Sequence, residues 1–302
     1  MSARNKLQIL FSSKKRFLYL ANKGIFNKMD DEKYLSKLFY ARMGKKLDLK
    51  NPKTFNEKLQ WLKLYNRNPE YTVMVDKYHV KRYVAEKIGE EYVIPPLGVW
   101  KNFDDIDFSS LPDQFVLKCT HDSGGLVICD NKAKLDLESA KKNLEASLKR
   151  NYYYHGREWP YKDVEPQILA EQYLENDPTE GLHDYKIWCF NGVPTYVQYI
   201  TGRRGTTTYE GFYTFDWTMQ DFSYHNPLMK EPVEAPKKLG ELFTLASKLA
   251  ENIPFARVDF YVLPDDSLKF GEITFYPNCG TEKWHPQEMD LKLGEMIDLP
   301  NK

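Results

Sequence analysis

The chain has 302 residues, 42% apolar and 15% aromatic, enough hydrophobic material for one large domain or two ordinary ones and too much to remain disordered. Lysine plus arginine equals aspartate plus glutamate at 43 each, so no global charge directs it to nucleic acid. That balance hides an asymmetry, because residues 1–29 carry seven Lys or Arg and no acid. The apolar runs of this segment are too short and broken to cross a bilayer or to act as a secretory signal. Peripheral contact of residues 1–28 with an anionic membrane surface is one expectation; packing on the body or against a partner is the other. The cysteines at 119, 129, 189 and 279 form no CxxC pair, which predicts free thiols and a cytoplasmic protein, at most at the inner face of the membrane. No HExxH or dense Cys/His cluster supports a zinc site.

In chain order, EKYLSKLFYARMGKKL carries apolar residues at helical spacing. NPKTFNEKLQWLKLY opens on a helix cap at Thr54, with Glu57 in capping-box position. VDKYHVKRYVAEKIGEEYVIPPLGVW predicts a helix ended by Gly89, then a short strand leading into Pro95 and Pro96. QFVLKCTHDSGGLVICD predicts strand, small-residue loop, strand. LDLESAKKNLEASLKR predicts a helix, and PQILAEQYLE a short apolar strand running into a connection. HDYKIWCFNGVPTYVQYITGRR predicts a hairpin turned at Asn191-Gly192. TGRRGTTTYEGFY follows as a loop in which Arg203 and Arg204 either clamp a carboxylate or phosphate or stay solvated. APKKLGELFTLASKLAENI predicts a helix, and RVDFYVLPDDSLKFGEITFYPNCG a pair of strands around the turn PDDS. The order is mixed α/β (α+β) with several antiparallel hairpins.

The last pair places acids in hydrophobic strands. Pairing Leu263 with Leu268 and counting outward sets Asp259 opposite Glu272 and Arg257 opposite Thr274. Directly opposed side chains share a face, with Cβ atoms roughly 5 Å apart, and like charges there repel. A one-residue slip on one strand would separate them. Two carboxylates so close need a cation or a shared proton; the alternative is an exposed hairpin face with solvated acids. Lys118, inside the apolar strand FVLKC, also needs a partner, either a phosphate or an acid. The loop HDSGG after it could turn successive N–H groups toward a phosphate, although it has no GxxxxGK[ST] spacing. Glu171 lies in the strand text AEQYL, while Asp184 and Lys186 share one face of DYKIWCF. Each of these alone fits a structural ion pair.

Together the succession DK, VLK, glycine loop, E-x-x-L, D-x-K, R-x-D and G-E-x-T resembles the ATP-grasp superfamily, which includes D-alanine–D-alanine ligase, biotin carboxylase and glutathione synthetase. More closely, NPKTFNEKLQWLKLY, VDKYHVKRYV, FVLKCTHDSGG, DYKIWCFNG, RVDFY and GEITFYPNCG resemble the ATP-grasp proteins named for teichuronopeptide biosynthesis, over about residues 50–285. The resemblance implies an ATP-grasp fold: a helical N-terminal region at 1–70, then two subdomains, 71–170 and 171–302, whose antiparallel sheets grip ATP. By position it implies that Lys77 and Lys118 grip the phosphates, with Lys118 and Arg257 as the catalytic cations. Ser123, Gly124 and Gly125 would form the loop over the phosphates, and Glu171, Gln172, Tyr173 and Leu174 the adenine hinge. Asp184 would bind ribose, Lys186 would face the phosphates, and Asp259 and Glu272 would bridge Mg2+. Two departures stand out. Thr274 would be the third metal ligand, a weaker one at the position where the family carries Asn, and Asn278, nearby but off that position, would with Arg203 and Arg204 face the substrate. The Rossmann-like N-terminal half of the family is also replaced by helical text, so the substrate side does not carry over.

The implied activity is an ATP- and Mg2+-dependent carboxylate–amine ligase working through an acyl phosphate. Its substrates would be a small-molecule or glycan carboxylate, in this subfamily a uronic acid of a surface polysaccharide or its nucleotide-sugar precursor, and an amine; no nucleic acid is expected. A kinase of the same fold, a glycosyltransferase and a non-catalytic binding module are the rivals.

Overall fold

Helices come before any strand in the computed structural model, which describes residues 12–175, 181–203 and 205–301. They are α1 (Ser13–Asn22), α2 (Asp31–Met43), α3 (Phe55–Tyr65), α4 (Glu70–Val75) and α5 (Val80–Ile88). The capping box forms: Glu57 N–H donates to Thr54 Oγ1 at 3.3 Å and Thr54 N–H to Glu57 Oε2 at 3.1 Å. Gly44 ends α2 in the left-handed region, and Gly89 closes α5. No helix of the described residues is long and apolar enough to cross a membrane. Phe17 of α1 stacks on Phe26 and leans on Tyr34 of α2, so this part of α1 packs locally; residues 1–11 of the basic segment lie outside the described residues.

The strands are β1 (Pro96–Trp100), β2 (Phe115–Cys119), β3 (Leu126–Cys129), β4 (Ile168–Gln172), β5 (Asp184–Phe190), β6 (Val193–Thr201), β7 (Tyr209–Tyr213), β8 (Phe255–Val262) and β9 (Leu268–Thr274). The later helices are α6 (Leu137–Leu148), α7 (Tyr153–Gly156), α8 (Leu239–Leu249) and α9 (Met289–Glu295). A small antiparallel sheet runs β1-β4-β2-β3 and a larger one β7-β6-β5-β8-β9. Two strands differ from the sequence expectation. β1 starts at Pro96 instead of leading into it; as the sheet edge it tolerates a residue without an N–H. β7 forms where a loop was expected, because its buried Glu210 is satisfied by Gln198 Nε2 at 2.8 Å and by the N–H groups of Tyr224 and His225.

The β5–β6 turn falls on Asn191 and Gly192, both at positive φ, the geometry that favours this dipeptide. In the β8–β9 hairpin Asp259 does oppose Glu272, and Arg257 opposes Thr274. The path there differs from the simple count. The turn sets Val262 opposite Leu268, one residue off, and a bulge at Gly271 restores the register between Phe260 and Asp259. Without that bulge Glu272 would face the other side of the sheet.

The small sheet rests on a modest apolar cluster of Phe115, Leu117, Ile168, Ala170, Ala140 and Leu144. The large sheet is buried on both faces: every residue of β5 is inside. On one face of β5, Trp188 meets Phe55 of α3, Phe212, Tyr224 and Trp284, with ring centroids 5.4–5.6 Å apart. Lys186 and Asp184 continue that face by strand alternation, so the charged groups begin where the aromatic packing stops.

Candidate functional site

On the small sheet, Glu171 of β4 sits between two lysines. Lys118 Nζ lies 2.5 Å from its Oε2 and Lys81 Nζ 2.5 Å from its Oε1. Burial alone would raise the Glu171 carboxyl, but Lys118 and Lys81 hold it below its usual range. The buried acid that Lys118 needs is therefore Glu171. Lys81 was not foreseen; its signal was the four-residue step from Lys77 in VDKYHVK. Lys77 Nζ donates to the carbonyl of Asp122 at the start of the glycine loop. Burial, with Lys118 nearby, pushes Lys77 below the ordinary lysine range, opposed mainly by Glu272. Lys77 is thus within electrostatic reach of both sheets.

The glycine loop is organised by a residue that sequence reasoning passed over. Asp122 Oδ1 accepts the N–H groups of Gly124 at 3.1 Å and Gly125 at 3.0 Å, and Oδ2 takes Arg150 and Ser147. Donors expected to cradle a phosphate are closed on Asp122 instead. A Cβ on Gly125 would come within 2.5 Å of Cys119 Sγ, which explains glycine at that position. Ser123 stands near the Tyr152 hydroxyl. Beyond Glu171, Gln172 and Tyr173 line a surface hollow with Leu97 and Gln114, and Leu174 follows them in the connection.

On the large sheet three acids and three cations interlock. Arg257 Nε and Nη2 donate to Asp259 Oδ1 and Oδ2, both at 2.7 Å. The same Nη2 reaches Glu272 Oε1 at 2.9 Å and Thr274 Oγ1 at 3.0 Å. The paired carboxylates therefore converge on one guanidinium. Lys186 donates to Asp259 and lies 3.5 Å from Asp184, and Arg203 Nε donates to Asp184 at 2.5 Å. Arg203 is thus committed to Asp184 rather than standing free as a clamp; Arg204 lies outside the described residues. Burial would raise Glu272, but Arg257, Lys186 and Lys77 together bring it down to about 2 from an ordinary 4.5. Asp259 is sealed at 2% exposure, whereas the Glu272 side chain keeps 41%.

Thr274 donates its hydroxyl to Glu272 at 3.1 Å. Asn278 makes no side-chain hydrogen bond to Asp259 or Glu272 among the described residues. It stands in a left-handed turn with Cys279, at φ 47° and 58°. No group of three or more His, Cys, Asp or Glu side chains forms a ready metal cage among the described residues. The donor set nevertheless suits a hard cation that binds through one or two carboxylates and completes its shell with water and phosphate oxygens.

The TupA-like ATPgrasp family model matches residues 57–298. The chain belongs to the TupA-like ATP-grasp family. The two antiparallel sheets of this TupA-like chain make up its ATP-grasp fold, as the resemblance implied. Among curated proteins none matches. Solved structures resemble it distantly. An L-amino acid ligase from Bacillus licheniformis is 14% identical, with TM-score 0.49, covering 91% of this chain and 64% of that one. D-alanine–D-alanine ligase from Bacillus anthracis, complexed with ATP, is 18% identical, with TM-score 0.40, covering 74% and 65%. An N5-carboxyaminoimidazole synthetase from Staphylococcus aureus is 18% identical, with TM-score 0.38; the TupA-like chain spans 44% of its length.

Proposed function

We propose that this TupA-like protein is an ATP- and Mg2+-dependent carboxylate–amine ligase that releases ADP. One observation carries the reading: Asp259 and Glu272 converge on Arg257 while Lys77, anchored at the glycine loop of the other sheet, lies within electrostatic range of Glu272. Such a layout holds a polyanion between cations and a pair of hard oxygen ligands.

ATP with Mg2+ would supply the phosphoryl group and its charge neutralisation. The chain's own residues do the positioning. Lys77 and Lys118 bind phosphate oxygens, with Glu171 fixing Lys118 in place. Asp259 and Glu272 hold the cation, Glu272 from the accessible side. Lys186 and Arg257 orient those acids and offset charge that develops on the transferred group. Gln172, Tyr173 and Leu174 form the base-reading connection, Asp184 with Arg203 marks the ribose end, and Ser123, Gly124 and Gly125 cover the phosphates. Thr274 supports Glu272 instead of ligating independently. The helices between Ser13 and Tyr65 would build the acceptor side.

The finer substrate, a uronic-acid carboxylate of a surface glycan or its nucleotide-sugar precursor joined to an amine, is supported by the subfamily resemblance alone. Four buried free thiols agree with a cytoplasmic site of action. The test is ADP release from MgATP over a panel of sugar acids, with and without amines, followed by hydroxylamine trapping. A hydroxamate marks an acyl phosphate. Turnover without an amine and without hydroxamate would instead establish a sugar kinase on the same nucleotide residues. No nucleotide turnover with any acid, together with no MgATP heat in a titration, would sink both.

A further inference from the structure

The turn that follows β9, beyond the metal acids, is gripped by the N-terminal helix α3. Three polar side chains of α3 at helical spacing, Asn56, Gln60 and Lys63, are fully buried. All three donate to carbonyls of the turn that follows β9. Asn56 Nδ2 reaches Glu282 O at 2.9 Å, Gln60 Nε2 reaches Gly280 O at 2.7 Å, and Lys63 Nζ reaches Cys279 O at 2.8 Å. Tyr224 OH takes Pro277 O at 2.8 Å. This grip holds Asn278 and Cys279 in a backbone region that non-glycine residues rarely occupy, and such strain is retained where surrounding structure imposes it.

Arg42 comes onto this turn from α2. Its Nη1 donates to Thr281 Oγ1 at 2.9 Å and its Nη2 lies 3.3 Å from His155 Nε2. Among the described residues no carboxylate pairs with Arg42. Glu158, which acts electrostatically on His155, is buried, and that burial pushes its carboxyl well above the ordinary range. Arg42 stands in the last turn of α2, where a cation also suits the helix dipole. That favours a positive charge there but does not explain why the guanidinium turns outward to Thr281 and His155. Continuity with the phosphate side runs through Tyr152. Its ring stacks on His155 with centroids 6.1 Å apart, and its hydroxyl lies within electrostatic range of Ser123 of the glycine loop and of Glu272.

We infer that Arg42, with His155 and Thr281 beside it, binds an oxyanion of the second substrate, a carboxylate or phosphate group remote from the reacting carboxyl. The site requires that substrate to carry an anionic group in addition to the one activated. This rests on the ligase reading for its place in the reaction, though the binding itself does not need it.

The test is calorimetric titration of the full chain with inorganic phosphate and, separately, malonate, each with and without saturating MgADP. MgATP affinity is measured on the same preparations. Wild type is expected to bind at least one of the two anions saturably, and the stronger of them identifies the class. Arg42→Gln should weaken that binding tenfold or more while leaving MgATP affinity within twofold, and Arg42→Lys should recover part of it. His155→Gln should weaken it less. Equal anion affinity in wild type and Arg42→Gln, no saturable anion binding, or loss of MgATP affinity in Arg42→Gln would each overturn the assignment. Wild type that binds MgATP but neither anion removes this site and spares the nucleotide reading. Arg42-dependent anion binding without MgATP binding does the reverse.

Discussion

The two sheets hold their charges differently. The small sheet surrounds one acid, Glu171, with Lys81 and Lys118, and adds Lys77 at the loop, so positive charge is in excess. The large sheet matches Asp184, Asp259 and Glu272 against Arg203, Lys186 and Arg257, so its charges are balanced within the fold. The small sheet also rests on the slighter core, while the large one is closed on both faces by aromatic and aliphatic packing. A surplus of cations on a lightly packed element suits a grip on a polyanion. A balanced, buried lattice on a rigid element suits the placement of hard ligands.

The largest effect should come from cutting that lattice. Glu272→Gln is expected to lower MgATP-dependent ADP release by about 10²-fold or more, with a smaller loss of stability in urea than Asp259→Asn, because its side chain is partly open and its ion pair is screened by solvent. Asp259→Asn should lose turnover similarly and also destabilise the fold by about 3–5 kcal/mol, since two buried cations lose their acid. The contrast between the two variants is the informative readout. An active Asp259→Asn protein would remove the large sheet from the chemistry.

On the small sheet the expected loss falls on affinity. Lys118→Ala should weaken MgATP binding roughly tenfold, the value of one charge-assisted hydrogen bond, measured by calorimetry. Lys81→Ala leaves Lys118 alone with Glu171 and should weaken it less. Equal losses would mean that the two lysines act as one unit; no loss in Lys118→Ala would leave it a structural partner of Glu171.

The same contrast governs what could be read beforehand. Strand text with period two exposed Asp259 opposite Glu272, because sheet register depends on alternation that the sequence displays. It reached the correct facing by a count that omitted both the tighter turn and the Gly271 bulge, two offsets that cancel. Asp122 escaped notice because an acid beside glycines reads as turn chemistry, and only the folded loop shows its carboxylate taking Gly124 and Gly125 N–H. Glu210 hid a strand for the opposite reason: its burial is made tolerable by partners 12 to 15 residues away. The helix α3 was legible from its cap, but its buried polar stripe has meaning only against carbonyls more than 200 residues later. Contacts between distant segments leave no periodicity to find.

Acid titration sharpens the comparison at smaller scale. Glu272 is held near 2 in the folded chain against an ordinary 4.5. A depressed folded value means that the unfolded chain binds the proton first as pH falls, so the contribution is present above about 4.5 and is lost as pH drops toward 2. The unfolding free energy of wild type should therefore fall more steeply than that of Glu272→Gln in this window, and the two curves should run parallel above about pH 5–6. Parallel curves throughout would show that Arg257 and the lysines do not hold Glu272 in its charged form.

The smallest expected effect tests how the large sheet aims its acids. A Cβ at Gly271 would lie 3.1 Å from the Asp259 carbonyl oxygen and 3.4 Å from the Tyr261 ring, so Gly271→Ala must shift backbone by a few tenths of an ångström. The stability cost should be about 1 kcal/mol, as for ordinary single substitutions. The shift acts directly between the two carboxylates, since Gly271 is the extra residue that brings Glu272 opposite Asp259. Turnover should consequently fall several-fold while MgATP affinity, which the proposed function assigns mainly to the small sheet, stays nearly constant. If affinity drops and turnover per bound nucleotide does not, the bulge aims nothing, and the division of labour between the sheets is wrong.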